Sequence, residues 1–293
     1  MIFNPVAGSA GNRDIVLGKL QRLKPIAVCL TKGSGDAEQL ARQAIRENCN
    51  YIIAAGGDGT LNEVVNAMAG HAKQIRLGIL PLGTGNDFAR SLGLSKSMEK
   101  NIVTLAKART KRLDIVKVRN NRTRHFINVA TGGFSGVINE KMTRRIKRAW
   151  GPLAYLRGAA AALPKLHTYK TGITVDDGER FSSDVYNVII ANGRFAAAGL
   201  PVAPAADLSD GLLDLIIIPK LAATSLALLA AEIVLGKHLP NDAIIFRRAR
   251  KIAVRARPKM CFNVDGELVG HVPAIFKIMP RALRVVVPRD EER

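Results

Sequence analysis

Aromatic residues are scarce, at 5% of 293 positions with a single Trp. No helix-turn-helix, RNA-recognition or zinc-finger pattern accompanies them, so nucleic acid is not an expected partner. Cysteine is nearly absent too. Cys29, Cys49 and Cys261 stand far apart and form no CxxC. That excludes a disulfide scaffold and a clustered zinc site, and fits a reducing compartment. The five histidines are scattered as well. No apolar run reaches the roughly 18 residues of a membrane-spanning helix. The N-terminus lacks the basic segment and apolar core of a signal peptide. A soluble, cytoplasmic protein is therefore expected. Acids are also in short supply, 24 against 44 Lys and Arg, which leaves a net charge of +20. Such an excess calls for an anionic partner: nucleic acid, an anionic membrane or a phosphorylated substrate.

What is present centres on Tyr51–Met68, YIIAAGGDGTLNEVVNAM. Tyr51–Ala55 is an apolar run of strand length. Gly56-Gly57-Asp58-Gly59-Thr60 reads as a loop, and Leu61, Val64, Val65 and Met68 then share one helical face. At a strand–glycine–helix junction the first helical amides lack internal partners and sit at the positive end of the helix dipole. Glycine lets a ligand approach the backbone, so the stretch is either an ordinary turn or a phosphate cradle. It is neither a P-loop nor GxGxxG, since Asn62 stands where a third glycine belongs. Asp58 inside the loop would repel phosphate unless a cation intervenes, which points to metal–nucleotide chemistry.

The first third alternates strands and helices. Met1–Phe3 precedes the turn Asn4–Gly8, and is short enough to suggest a chain that begins a few residues late. Leu17–Leu23 is helical, Ile26–Leu30 a strand, and Asp36 a candidate cap for a helix over Ala37–Glu47. Leu77–Leu80 leads into a second glycine loop, Pro81–Asp87, and a helix from Asp87. This rhythm predicts a parallel sheet with helices on both faces and glycine loops at its carboxyl edge, where such folds bind ligands.

Near Arg112–Asp114 the rhythm changes. Ile115–Arg119, His125–Ala130, Gly172–Asp176, Val185–Ala191, Leu212–Ile218, Ala243–Phe246, Ile252–Arg257, Met260–Val264, Ala274–Ile278 and Leu283–Val287 read as strands of a mostly antiparallel second domain. Helical insertions are expected near Asn139–Leu163 and Leu221–Leu235. The latter is almost wholly apolar, too short to span a bilayer, and reads better as a buried helix than as a membrane-contact one. Thr143–Lys170 and Arg247–Lys259 each hold seven Lys/Arg and no acid. Two such runs in one domain favour an anionic interface over plain solvated faces, and could hold the protein reversibly on a membrane.

The pieces NPVAG (Asn4–Gly8), GGDGTLNE (Gly56–Glu63), LGILPLGTGNDFAR (Leu77–Arg90), FINVATGGFSG (Phe126–Gly136), ANGRFAAAG (Ala191–Gly199), APAADLSDGLLDL (Ala203–Leu215) and NVDGELVG (Asn263–Gly270) run in order along the chain. This ordered set resembles the diacylglycerol kinase/sphingosine kinase catalytic-domain family, in particular the bacterial YegS-like lipid kinases. The resemblance implies an α/β nucleotide domain over residues 1–114, possibly with 281–293, and a β-rich lipid-substrate domain over 115–280. It places the active site in the cleft between them.

By position, the resemblance implies that Gly57, Asp58, Gly59, Thr60, Leu61, Asn62 and Glu63 contact ATP, with Thr31 and Thr84 also in the nucleotide site. Asp58 would help place the metal–ATP, held by a network that includes Arg90 and Asp114. Glu267 matches the proton acceptor. Asp207, Asp210 and the Leu212 carbonyl match a separate Mg²⁺ site. Ser9 stands where several members carry a basic residue, which leaves Arg13 as the candidate replacement or the network looser. Cofactors would be ATP and Mg²⁺. The partners would be a membrane lipid, such as diacylglycerol or phosphatidylglycerol, and the anionic membrane surface, for a cytoplasmic protein peripherally attached.

Phosphoryl transfer to an alcohol needs an aligned γ-phosphate, charge neutralisation and a proton acceptor. Glu267, after the Asp265-Gly266 turn, could be that acceptor; read without the resemblance it is an exposed turn residue. Two competing functions remain. One is a soluble-metabolite kinase of the NAD kinase type, which shares a GGDGT-type loop. The other is a non-catalytic binder of anionic surfaces that keeps a kinase fold.

Overall fold

The computed structural model describes residues 1–8, 13–71, 74–107, 109–133 and 167–288. The expected helix near Asn139–Leu163, most of the basic run Thr143–Lys170, Ser9 and the side chain of Arg13 lie outside the described residues. The chain divides into two compact units, Met1–Ile115 with Pro280–Arg293, and Val116–Met279.

The first unit is α/β. Its strands are β1 (Ile2–Phe3), β2 (Cys29–Leu30), β3 (Tyr51–Gly56) and β4 (Arg76–Pro81), and its helices α1 (Arg13–Leu20), α2 (Asp36–Arg46), α3 (Asp58–Met68), α4 (Asp87–Ser91) and α5 (Met98–Lys107). The strands lie parallel in the order β2-β1-β3-β4. Parallel strands need crossovers, and the helices supply them. Phe3, Ile53, Ala55 and Leu80 pack with Leu20 of α1 and with Ile102 and Leu105 of α5. Helix α3 packs on β3 and α2 on α3; they take no part in that cluster and cover the other face. Leu61, Val64, Val65 and Met68 are all buried, each stabilising the unit by about 1.5–3 kcal/mol.

Two local expectations fail here. Ile26 is fully exposed, and the second strand is only Cys29–Leu30, because β1 offers just two partner positions. Asp58-Gly59-Thr60 is not loop but the first turn of α3.

The second unit is antiparallel. Strand β5 (Thr110–Arg119) enters it, followed by β6 (Thr123–Phe126), β7 (Val129–Gly133), β8 (Tyr169–Val175), β9 (Glu179–Ala191), β10 (Leu213–Pro219), helix α6 (Ala223–Leu235), β11 (Ile245–Ala249), β12 (Lys251–Arg257), β13 (Cys261–Val264), β14 (Glu267–His271) and β15 (Ala274–Val286). Alternation buries Ile173, Val188, Ile190, Leu215, Ile252 and Val254 in one cluster with Phe126, Phe262 and Phe276. Phe262 and Phe276 lie 4.9 Å apart between ring centroids.

Here too the sequence reading needs correction. The expected single strand His125–Ala130 is two strands, broken at Ile127-Asn128. The two expected C-terminal strands are one. Pro280 does not end β15, because Arg281 takes a left-handed conformation (φ 50°) and lets the strand bend and continue. Its first part pairs with β12, and Arg284 and Val285 return to pair in parallel with β4 in the first unit. Strand β14 was not foreseen. Helix α6 is not buried: among its residues only Leu229 is. An all-round apolar helix gives no signal for how many neighbours it has, and this one has a sheet on one side only.

Candidate active site

In the first unit three motif segments meet at the carboxyl ends of β1, β3 and β4. Gly57 is the residue before α3, in extended backbone, and no side chain caps the helix. The Asp58 N–H engages its own carboxylate, and the first-turn amides that follow it are open to an outside partner. The second glycine loop lies alongside: the Leu82 N–H donates to the Gly56 carbonyl at 2.8 Å. A Cβ on Gly83 would sit 2.5 Å from the Gly57 Cα, so the loops meet backbone to backbone. Asn86, at φ 51°, staples the second loop; its Oδ1 accepts the Gly83 N–H and its Nδ2 donates to the Gly83 carbonyl. From the NPVAG turn, Asn4 Nδ2 donates to Thr60 Oγ1 at 3.1 Å, and a Cβ on Gly8 would strike Thr84 Oγ1. Thr31, nearly buried, closes the end of β2 through its N–H to the Phe3 carbonyl.

The Asp58 carboxylate lies at the start of α4, where it accepts the Phe88 N–H at 3.4 Å. Burial raises its pKa, against the pull of the Asp87, Phe88 and Asn86 amides and of its own amide. Asp114 is fully buried, and its Oδ1 accepts the Arg281 N–H at 2.6 Å, which ties β5 to the returning strand. Arg90 sits exposed on α4.

Glu63 is bonded within the unit. Its Oε1 accepts the Gly35 N–H at 2.8 Å and its Oε2 the Ala37 N–H at 3.0 Å. It thus caps α2 from a neighbouring helix. Asp36, the expected cap, instead accepts the N–H groups of Lys32 and Gly33. Leu61 and Asn62 are buried, so toward a ligand they offer backbone rather than side chain.

The second unit gathers three other motif segments. The turn between β13 and β14 holds Asp265 and Gly266, both at positive φ. The Asp265 carboxylate accepts three consecutive backbone N–H groups, from Ile127 (3.0 Å), Asn128 (3.2 Å) and Val129 (2.9 Å). Its own N–H donates to the Val129 carbonyl. This explains the break between β6 and β7: the amides there bond a side chain instead of a strand. Asn263 Oδ1 accepts the Gly266 N–H. Asn192 Nδ2 donates to the Ile127 carbonyl and Asn128 Nδ2 to the Phe195 carbonyl. Segments FINVA, ANGRF and NVDGE are thus knotted together, and Glu267 opens β14 two residues beyond the knot, half-exposed and paired with Val264.

The expected Mg²⁺ residues lie on the loop before β10. Asp207 Oδ1 accepts both the N–H and the O–H of Ser209. Asp210 Oδ1 accepts the Leu212 N–H, while its Oδ2 is ion-paired with Arg248. Arg248 Nε also donates to Asp214 Oδ1 at 3.0 Å. Asp214 is 1% exposed; burial raises its pKa against the pull of Arg248, and its Oδ2 has no hydrogen-bond partner among the described residues. Two carboxylates and a carbonyl are the hard oxygen donors that Mg²⁺ takes. Arg248 already neutralises part of this set, and among the described residues no three His, Cys, Asp or Glu side chains converge as a metal cluster. Sequence reasoning missed Asp265, Asn192 and the Arg248–Asp214 pair; the Asp-Gly and Asn-Gly dipeptides marked turns but not their distant partners.

Comparison with known proteins agrees with the motif order. Residues 1–118 match the diacylglycerol kinase catalytic domain, and residues 128–287 match the YegS C-terminal NAD kinase beta sandwich-like domain. A diacylglycerol kinase of Staphylococcus haemolyticus is 33% identical over 99% of this chain and 88% of its own length. One of Bacillus subtilis is 31% identical over 99% and 96%. A crystal structure of a diacylglycerol kinase from Bacillus anthracis superposes with a TM-score of 0.77 at 23% identity, over 98% of this chain and 96% of that one. An NAD kinase from Archaeoglobus fulgidus, solved with ATP, gives 0.56 at 15% identity, over 99% and 94%. At such identities the two structures speak for the fold alone.

Proposed function

The chain belongs to the diacylglycerol kinase catalytic-domain family, and on that premise we propose that it transfers the γ-phosphoryl group of ATP to the free hydroxyl of a membrane lipid, diacylglycerol or phosphatidylglycerol. The observation that carries the reading is the side-chain-free meeting of Gly57 and Gly83 beside the uncapped start of α3. Backbone donors, helix dipole and unobstructed approach together suit a polyphosphate.

The residue roles, apart from those of Glu63 and Asp265, are those that the family resemblance implies. The amides of Gly57–Thr60 bind nucleotide phosphates, with Thr31 and Thr84 at the edges of the same site. Asp58 keeps the second loop in register and orients the metal–nucleotide. Arg90 and Asp114 belong to the supporting framework, and Glu63 fixes α2 against α3. Glu267 accepts the hydroxyl proton as the oxygen attacks phosphorus. Asp265 sets its position through the three amides it holds. Mg²⁺, with the nucleotide and at Asp207, Asp210 and the Leu212 carbonyl, would supply charge neutralisation. The protein works at a membrane surface from the cytoplasm.

Purified protein with labelled ATP should phosphorylate diacylglycerol or phosphatidylglycerol in mixed micelles and leave NAD untouched. Phosphorylation of NAD alone would overturn the reading in favour of a soluble-metabolite kinase. A biological effect that survives Glu267→Gln would point to the non-catalytic binder.

A further inference from the structure

The outer face of the second unit's sheet is used by none of the roles above. Along β12, Ile252 and Val254 point into the core, while Arg255 and Arg257 are exposed. Along β8, Ile173 and Val175 are buried, while Lys170 and Gly172 are exposed. A Cβ on Gly172 would meet nothing within 4 Å, so the middle of this face is bare. Lys170 lies directly opposite Arg257. Like charges facing each other across a ladder are unfavourable unless an anion joins them. Arg247 and Arg248 are neutralised by Glu179, and by Asp210 and Asp214. Among the described residues, Lys170, Arg255 and Arg257 have no such ion pair.

Helix α6 lies on this same face. The pairing of β9 with β10 is irregular at Ile218/Pro219. Beyond that point Ile189 and Ala191 turn outward and, with Ile216 and Ile218, carry Leu226 and Leu229 of α6. The side of α6 away from the sheet has no charge. Leu228 and Leu235 are 60% and 68% exposed, and Ala227 and Ala231 are exposed beside them. Its one acid, Glu232, accepts a hydrogen bond from Asn241 at 2.6 Å. Exposed lysines, Lys220 and Lys237, stand beyond its two ends. The helix adjoins the basic rows: the Lys220 N–H donates to the Asp184 carbonyl, and in the strand register Asp184 lies opposite Lys170, which lies opposite Arg257 on its other side.

We propose that this face docks the second unit on an anionic lipid bilayer, with α6 lying in the headgroup layer and Lys170, Arg255 and Arg257 holding lipid phosphates. An apolar helix flanked by lysines matches the interfacial layer, and bare sheet cations match its surface charge. Nucleic acid would gain nothing from exposed leucines. A second copy meeting this face symmetrically would set the same cations against themselves. The inference rests on the reading of a lipid acceptor for its purpose, but the vesicle binding that decides it does not need the reaction.

Full-length protein is sedimented with vesicles of phosphatidylglycerol and phosphatidylcholine, without ATP or diacylglycerol, and with vesicles of phosphatidylcholine alone. Binding should favour the anionic vesicles and weaken as salt rises. Arg255→Ser combined with Arg257→Ser should lower the affinity about thirty-fold. Leu228→Gln combined with Leu235→Gln should lower it about ten-fold or more. Both variants should keep the wild-type circular dichroism spectrum and turnover of a short-chain, water-soluble diacylglycerol, which shows that folding and chemistry are intact. Unchanged vesicle binding in either variant overturns the proposal. So does a change of oligomeric state in the leucine variant, or wild-type binding to duplex DNA that the arginine variant loses. If the wild type binds vesicles as expected yet phosphorylates only NAD, the lipid-kinase reading fails while the docking surface stands.

Discussion

The two units treat backbone amides in opposite ways. In the first, the start of α3 has no side-chain cap, and the neighbouring loop approaches it with glycine only. In the second, one carboxylate, Asp265, fills three amides in a row. Satisfied donors make a scaffold; unsatisfied donors at an accessible helix start make a binding site. On the proposed function, ligand capture falls to the first arrangement and the placing of one side chain, Glu267, to the second.

The strongest way to break this contrast is Glu267→Gln. Loss of the proton acceptor should lower turnover by about 10²–10⁴-fold with ATP affinity unchanged, read by steady-state kinetics and nucleotide titration. Near-normal turnover would remove Glu267 from its role. Next comes Asp265→Ala, which leaves three amides without their charged partner. A loss of about 3 kcal/mol or more in unfolding free energy is expected, together with slower turnover, while ATP binding persists. Gly83→Ala acts on the other side of the contrast: the added Cβ would sit 2.5 Å from the Gly57 Cα and push the loops apart where phosphate must be aligned, so kcat/KM for ATP should fall by about a hundred-fold together with a lower melting temperature.

The smallest effect concerns Asp58. Burial raises its folded pKa, so the folded protein holds a proton that the unfolded chain gives up. The stability this group contributes is complete below the ordinary carboxylate range and is lost as pH rises through the raised value. Asp58→Asn should therefore raise the melting temperature at neutral pH, with the gain vanishing in acid, while turnover falls. A melting temperature that drops at neutral pH would show that the carboxylate's amide bonds outweigh its desolvation.

The sequence made the local half of this plain. Strand, glycines and helix at Tyr51–Met68 follow from spacing that spans one turn, and the change to alternating strands after Asp114 follows from period. What stayed hidden depends on partners distant in sequence. Asp265 bonds amides up to 138 positions away, and its own surroundings read only as an Asp-Gly turn. Glu63 caps a helix 26 residues earlier, where the nearer Asp36 looked the better cap. Periodicity also could not show that α6 keeps a bare side, since every face of it is equally apolar. The bend at Arg281 was unreadable because the preceding Pro280 normally marks an end.

The path of the last strand has a consequence for biosynthesis. Arg284 and Val285 supply the strand beside β4, Arg281 meets Asp114, and the Val287 N–H meets the Arg109 carbonyl. The first unit therefore lacks the strand beside β4 until the residues beyond Pro280 have been translated. Its half-built sheet must wait, open along β4, while the second unit is threaded out and folded. Of the two units, the one that starts first is completed last, and a nascent chain stalled before Pro280 would carry an unprotected strand for chaperones to cover.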